Sequence, residues 1–331
     1  MVVKLIDNKD LWDKHMDESA YGTLFHKWDF LRIIEKCSGY RLYPYGIYRG
    51  DELVCLFPVF ARSAMGWVTI ASPPPNMAIP YLGLVMSPIY DKLRQRKKES
   101  YLNHVVEEME AEIKKLHAGS ISITTVNGFV DMRPFKWSGY HVQMQYSYAV
   151  SLKQPADEIL NRFDGKLKGL IAEAEKLPLS IVPADDDMGG FCKALASHYR
   201  RSGTPKAAPS PEFLKEVISA FPDNVKICYL RNGDQIAAPI VYYQYKGRFS
   251  FWLGWGISDS GLRNDAYVAW SFIRSKQAEG LATLELPGSG QRELCYFKSM
   301  FNAPLEYHFS IRKSDLLGSI AGSLRHGAAV S

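Results

Sequence analysis

The sequence predicts an α+β protein of two tandem units, each a mixed, largely antiparallel sheet with helices packed on it. Three observations carry that prediction. At 331 residues the chain is longer than one hydrophobic core usually serves. The order helix, hairpin, further strand, helix, strand, last strand is met twice. Landmarks of the two copies also keep a steady spacing, 161 residues from Gly119 to Gly280 and 162 from Phe135 to Phe297. Self-similarity at a fixed offset is the mark of a duplicated module. The expected division is 1–152 and 153–313, with a small polar tail over 314–331 that frays.

In the first copy a helix is expected over His26 to Cys37. Two β-rich runs between Tyr43 and Phe60 flank Gly50-Asp51, which supplies tight-turn chemistry. The Pro-rich stretch Ser72 to Pro80 reads as a loop over the surface, and it makes this copy about twenty residues longer than the second. Leu102, Val105, Val106, Met109 and Ile113 fall on one face of a helix from about Glu99 to Leu116. Strands Ser120 to Val126 and Val142 to Val150 complete the copy.

Gln154 to Lys176 reads as one or two charged connecting helices. The second copy then offers helices over Met188 to Arg201 and Pro211 to Phe221, and a hairpin from Val225 to Tyr243 turning at Asn232-Gly233-Asp234. An aromatic strand from Phe249 to Gly256 follows. A helix from Tyr267 to Ala278 is stopped by Gly280, and strands Leu281 to Leu286 and Leu305 to Ile311 close the chain.

Composition narrows the function classes. Hydrophobic residues make up 47% and charged residues 23%, which supports an ordinary globular core. The five cysteines form no CxxC pair and no cluster with histidine, so they read as small buried thiols in a reducing compartment, with no metal. No signal peptide and no transmembrane run is recognisable, and a cytoplasmic location is expected. A net charge of +5 suits an anionic ligand and falls short of a DNA-binding surface. The basic stretch Lys92 to Lys98 reads as a solvated helix face. Ser-His-Asp triads, P-loops and dinucleotide fingerprints are missing.

Several stretches stand in a telling order: Phe25-His-Lys-Trp-Asp-Phe-Leu31, then Asp131 to Tyr140 followed by Tyr146 to Leu152, then Trp252-Leu-Gly-Trp-Gly256, Glu285-Leu-Pro-Gly288 and Phe297-Lys-Ser-Met-Phe301. Together they resemble the acyl-CoA N-acyltransferase (GNAT) fold in its duplicated form, the FemAB-type peptidyltransferases and their acetyltransferase-like relatives. The first looks like that family's first-helix entry, the second is similar to its interdomain stretch, and the last three resemble its carboxy-terminal signature. The likeness spans roughly residues 20 to 312 and implies two tandem GNAT-like domains. It also implies transfer of an acyl or aminoacyl group to an amine of a cell-envelope precursor, sugar or small metabolite. The Gln/Arg-x-x-Gly-x-Gly/Ala loop that grips the CoA pyrophosphate is absent here. Acyl-CoA and aminoacyl-tRNA therefore both stand as co-substrates, with no cofactor bound permanently. The alternative is a binding protein that kept the fold without the chemistry.

The candidate site lies mostly in the second copy. The resemblance implies that the strand bearing Trp252 and Gly254 splays and offers backbone N–H groups to the donor; otherwise it is an aromatic core strand ended by glycine. Arg263 and Asn264 open the next helix, where phosphate is favoured, although Asp265 makes a simple N-cap there. Tyr267 either faces the cleft or packs. The resemblance gives Lys298 the role of neutralising a donor phosphate or the transition-state carbonyl oxygen, and its replacement by alanine is expected to abolish transfer with the fold intact. Glu285 accepts the amine proton if burial raises its pKa, or else is a salt-bridged structural carboxylate. Trp28, Tyr81 and Gly83 line an acceptor groove between domains, or are core.

Overall fold

In a computed structural model the structure describes residues 1–184, 187–201, 208–255, 261–288 and 292–314. Gly256 and tail residues 315–331, both part of the sequence expectations, lie outside the described residues. The chain begins β1 (Val2–Leu5), α1 (Lys9–Glu18), α2 (Trp28–Ser38), β2 (Arg41–Arg49), β3 (Glu52–Ala64), β4 (Trp67–Ser72) and β5 (Val85–Met86). It continues α3 (Gln95–Lys115), β6 (Ala118–Thr124), α4 (Arg133–Trp137) and β7 (His141–Ser151). Next come α5 (Ala156–Arg162), α6 (Gly165–Ala174), β8 (Leu179–Pro183), α7 (Met188–Arg201), α8 (Pro211–Ala220), β9 (Val225–Asn232) and β10 (Gln235–Tyr245). The described chain closes with β11 (Arg248–Leu253), α9 (Leu262–Ala278), β12 (Thr283–Pro287), α10 (Arg292–Ser299) and β13 (Leu305–Ser314).

Two compact units result, one of Met1–Met144 with the chain from His308 onward, the other of Gln145–Tyr307. The sequence placed the boundary at 152/153. The compact units divide differently because the last strand of each copy is split. The end of β13 pairs antiparallel with β6, Ser310 opposite Thr124 through Ser314 opposite Ser120, and so joins the first unit. The end of β7 pairs with β12, Ser151 opposite Thr283 through Ser147 opposite Pro287, and so joins the second. Order along the chain does not reveal such an arrangement.

In the first unit the ladder runs β1-β2-β3-β4-β6, with only β4 and β6 parallel. In the second it runs β8-β9-β10-β11-β12-β7, with only β11 and β12 parallel. The expected mixed, largely antiparallel α+β architecture is what these ladders show. Gly50 and Gly233 take positive φ at the two hairpin turns, between Arg49 and Glu52 and between Asn232 and Gln235. Phe249, Phe251, Leu284 and Leu286 bury one face of the second sheet under Val268, Ala269, Phe272 and Ile273 of α9. By strand alternation Arg248, Ser250 and Glu285 point to the other face.

Local departures have identifiable causes. Asp164 accepts a hydrogen bond from the Lys166 N–H at 2.8 Å and so starts α6 separately from α5. Helix α9 begins at Leu262 after Gly261, whose φ is 95°, so Asp265 is a buried first-turn residue and not the cap. The Pro-rich segment does not lie over the surface: Ser72, Met77, Ile79, Tyr81, Leu82 and Leu84 are buried. Its backbone can be buried because it is hydrogen-bonded, Leu82 N–H donating to the Thr124 carbonyl at 2.9 Å and Gly83 N–H to Ser72 Oγ at 3.1 Å. Of the five thiols, Cys55, Cys192 and Cys228 are buried and Cys37 and Cys295 half-buried, all unpaired by disulfides.

Candidate active site

The feature that organises the second unit is a parting of two strands. β11 and β12 pair at Arg248/Thr283, Phe249/Leu284 and Ser250/Glu285, and among the described residues at no position beyond. Yet β11 continues to Leu253 and stays paired with β10 there, while β12 continues to Pro287 and stays paired with β7. Two parallel strands held by their outer neighbours thus separate from each other. Strand ends that separate leave backbone N–H and C=O groups facing a gap, where an amide-bearing ligand arm can add as a strand would.

Gly254 shows why β11 turns aside. Its φ is 85°, and a Cβ placed on it would lie 1.9 Å from the Pro239 carbonyl oxygen of β10. The close approach is accompanied by a register shift between Val241 and Tyr242. On the other side the Gly254 backbone amide meets the hydroxyl of Tyr199 on α7; burial pushes that hydroxyl up to about 12, and the amide draws it partly back. Trp255 then folds inward, stacking on Phe251 at 4.6 Å and meeting Phe297 at 5.8 Å. Its Nε1–H donates to the Asp265 carbonyl at 3.0 Å, tying the strand end to the first turn of α9.

The opposite wall is held by Lys298. This lysine is only 4% exposed, and its ammonium donates to the carbonyls of Pro287 and, at 2.6 Å, of Gly288. A buried ammonium needs such acceptors, and here they are the end of β12. Its counterpart in the first copy, Lys136, is exposed on α4, so the shared Phe-Lys spacing has different consequences in the two units.

Glu285 stands where the strands separate and is 3% exposed. Arg248 Nη2 lies 3.4 Å from its Oε2. The same guanidinium forks onto Glu306, Nη1 to Oε1 at 3.1 Å and Nη2 to Oε2 at 2.5 Å. The carboxylate is therefore salt-bridged, as the structural alternative held, and it belongs to the last β11/β12 pair, opposite Ser250.

The other candidates are dispersed. Trp252 packs edge-on against Phe213 of α8 at 6.1 Å. Asn264 is buried in the first turn of α9, and Arg263 is half-exposed, 3.9 Å from Glu173. The Tyr267 hydroxyl donates to the Leu179 carbonyl at 2.9 Å, so its side chain packs toward β8. In the first unit Trp28 meets Trp12 edge-on at 5.8 Å, and its N–H donates to Asp13 Oδ1 at 2.8 Å. Tyr81 is buried between the rings of Phe25 and His308, each 5.9 Å away. Gly83, with φ 85°, allows the inserted segment to pass close to Thr124 and Thr125, where a Cβ would come within 3.2 Å. There β4 and β6 remain paired as far as Ser72 and Ile123, and Leu82 bonds to the strand end beyond.

Sequence reasoning did not single out Arg248, Glu306, Tyr199, His308 or Asn127. His308 faces Asn127 through Nδ1 at 3.0 Å, and burial lowers its pKa to about 4. Arg248 had a signal in retrospect, a charged residue opening an otherwise apolar strand. Among the described residues no group of three metal-ligating side chains occurs, and no helix is long and apolar enough to cross a membrane.

Comparison with known proteins bears on the fold. Residues 162–298 match the family model described as acetyltransferase (GNAT) domain. No curated protein matches the sequence. Among solved structures FemX superimposes with a TM-score of 0.67 at 12% identity, over 93% of this chain and 97% of that one. L-PGS from Bacillus licheniformis gives 0.58 at 10% identity, covering 96% of each chain. A tandem GNAT protein from the clavulanic acid biosynthesis pathway gives 0.53 at 9% identity, over 95% of this chain and 98% of that one.

Proposed function

We propose that the second unit, where residues 162–298 match the model of a GNAT acetyltransferase domain in a chain whose fold resembles FemX and a tandem GNAT protein, transfers an acyl or aminoacyl group to an amine. The donor is acyl-CoA or an aminoacyl-tRNA, and the acceptor an amine of an envelope precursor, sugar or small metabolite. The observation that carries this reading is the separation of β11 from β12 beyond Ser250 and Glu285. The donor's acyl arm enters that gap and bonds to the exposed strand edges. The acceptor nitrogen attacks the carbonyl carbon, a C–N bond forms, and the thioester or ester bond to the carrier breaks. Glu285 takes the proton lost by the nitrogen, directly or through one water, and the departing sulfur or oxygen is protonated in turn. Lys298 fixes the β12 wall and sets a positive charge beside the oxygen on which negative charge grows. Positioning and electrostatics supply the rate.

A second reading is favoured by one specific observation: both candidate groups are already engaged, Lys298 by two carbonyls and Glu285 by Arg248. A protein that binds a donor-like ligand without turning it over has that arrangement too. The deciding experiment incubates the full chain with acetyl-CoA, longer acyl-CoAs and charged tRNAs, each with and without an amine panel. Product formed from any donor supports transfer. A thermal shift with a donor and no product supports binding alone, and no shift with any donor removes both.

A further inference from the structure

A second opening in the Gln145–Tyr307 unit lies away from the strand separation. It is a cleft of about 380 Å³ between the last turns of α9 and strands β8, β9 and β10. Ile181, Pro183, Ile227 and Phe272 give it apolar walls. One end is polar and contains Lys276, whose side chain is only 8% exposed. The Lys276 ammonium reaches Glu279 Oε1 and Oε2 at 3.0 and 2.7 Å and lies 5.1 Å over the Tyr242 ring. Lys226, directly across from Tyr242 on β9, stands at the same end.

Charge selects the occupant. Two lysines and one glutamate line that end: Lys226 is exposed, and Glu279, 44% exposed, shares its charge with water while Lys276 is enclosed. The carbonyls at the end of α9 add little negative potential because they are already bonded: Lys276 to Leu281 N–H and Gln277 to Gly280 N–H, both at 3.0 Å. An ammonium offers three donors, and the Lys276 ammonium directs two hydrogen bonds to a single carboxylate. The volume is at the small end for ligand sites, enough for a short organic molecule.

We propose that this cleft is a second ligand site, for a small free monocarboxylate with an apolar body, its carboxylate between Lys276 and Lys226 and its chain against Ile181, Ile227 and Phe272. The site is distinct from the strand separation. Lys276 lies eleven residues along α9 from Asp265, the residue bonded to Trp255, which is about 16 Å of helix. Its occupancy is read without any acyl transfer, so its failure and the failure of the transferase reading are separate results.

The test is a ligand-observed NMR titration of the full chain with hexanoate and with hexanamide, which has the same length and no charge. Hexanoate is expected to bind about tenfold more tightly than the amide, or better, as a charged hydrogen bond provides. Lys276→Met should bring hexanoate down to the level of the amide. Ser271→Trp, which fills the cleft from α9, should remove both. If Lys276→Met does not fold, Lys226→Met at the rim replaces it, with a severalfold loss of hexanoate affinity expected. Absence of saturable hexanoate binding to the wild type overturns the proposal, as does unchanged binding in folded Ser271→Trp.

Discussion

Gly254 and the Pro239 carbonyl approach so closely that no side chain fits between them: a Cβ would sit 1.9 Å from that oxygen, at a φ of 85°. Gly254→Ala must therefore push β11 off β10 or change the turn. We expect a loss of about 1–3 kcal/mol in urea unfolding, the usual cost of a strained backbone residue. Donor-induced thermal shift should vanish with it. An alanine variant as stable as wild type would mean that the bulge relaxes freely.

Lys298→Ala is expected to weaken the fold as well as to abolish transfer. The ammonium holds the Pro287 and Gly288 carbonyls in a buried place, so its removal should cost about 2–3 kcal/mol, a loss of charged hydrogen bonds. Transfer should be lost as well. Lys298→Arg separates the two effects. If charge alone is needed, arginine restores a measurable part of kcat; full activity in a folded Lys298→Ala variant would take Lys298 out of the mechanism.

Glu285→Gln keeps shape and a hydrogen-bonding group while removing the base. A general base contributes about 10²–10⁴-fold, so kcat should fall within that range and the acidic limb of the pH–rate profile should flatten. An unchanged profile would assign the proton to water or to the acceptor itself. The partner variant Arg248→Lys should shift that limb without abolishing turnover, because the fork onto Glu306 cannot be reproduced by an ammonium.

His15 and His308 set a pH dependence in the first unit. Burial lowers both from the ordinary histidine value to about 4, so the folded state binds fewer protons than the unfolded chain between that value and about 6.5. Stability should be full above that window and decline as pH falls through it. Each shift corresponds to at most about 3 kcal/mol. Urea midpoints measured at neutral pH and at pH near 5 check this, and His308→Gln should make the decline shallower.

The end of β13 is fastened by a buried carboxylate. Glu110, 8% exposed on α3, receives the Tyr140 hydroxyl and, at 2.5 Å, the Lys313 ammonium, which also lies 5.0 Å over the Tyr140 ring. Glu110→Ala removes both contacts, and because Lys313 is 30% exposed its charge can turn to water, so the loss should be about 1–3 kcal/mol. Hydrogen exchange in residues 310–314 should rise first.

Much of the fold was legible because local chemistry and long-range packing agree. Gly50 and Gly233 turn their hairpins, and Leu102, Val105, Val106, Met109 and Ile113 bury one face of α3, where the pattern put them. The start of α9 was misjudged because Asp265 has good capping chemistry while the chain uses Gly261. The segment Ser72 to Pro80 looked like surface because proline and asparagine favour turns, yet only Pro75 and Asn76 are exposed. At the candidate site, Gly254, Glu285 and Lys298 were singled out through the resemblance and the order of its stretches. Arg248 and Glu306 were not, because β11 and β13 are far apart in sequence and their meeting depends on which sheet each strand joins.

The split of β7 and β13 bears on how this molecule can be taken apart. A gene cut after codon 152 would encode a fragment ending in Gln145 to Ser151, a strand whose ladder partner β12 is missing. That same fragment would lack Ser310 to Ser314, which pair with β6. Each piece expressed alone would show an open sheet edge, prone to association. The two pieces made together have the means to supply each other, so solubility in this protein should be a property of the pair.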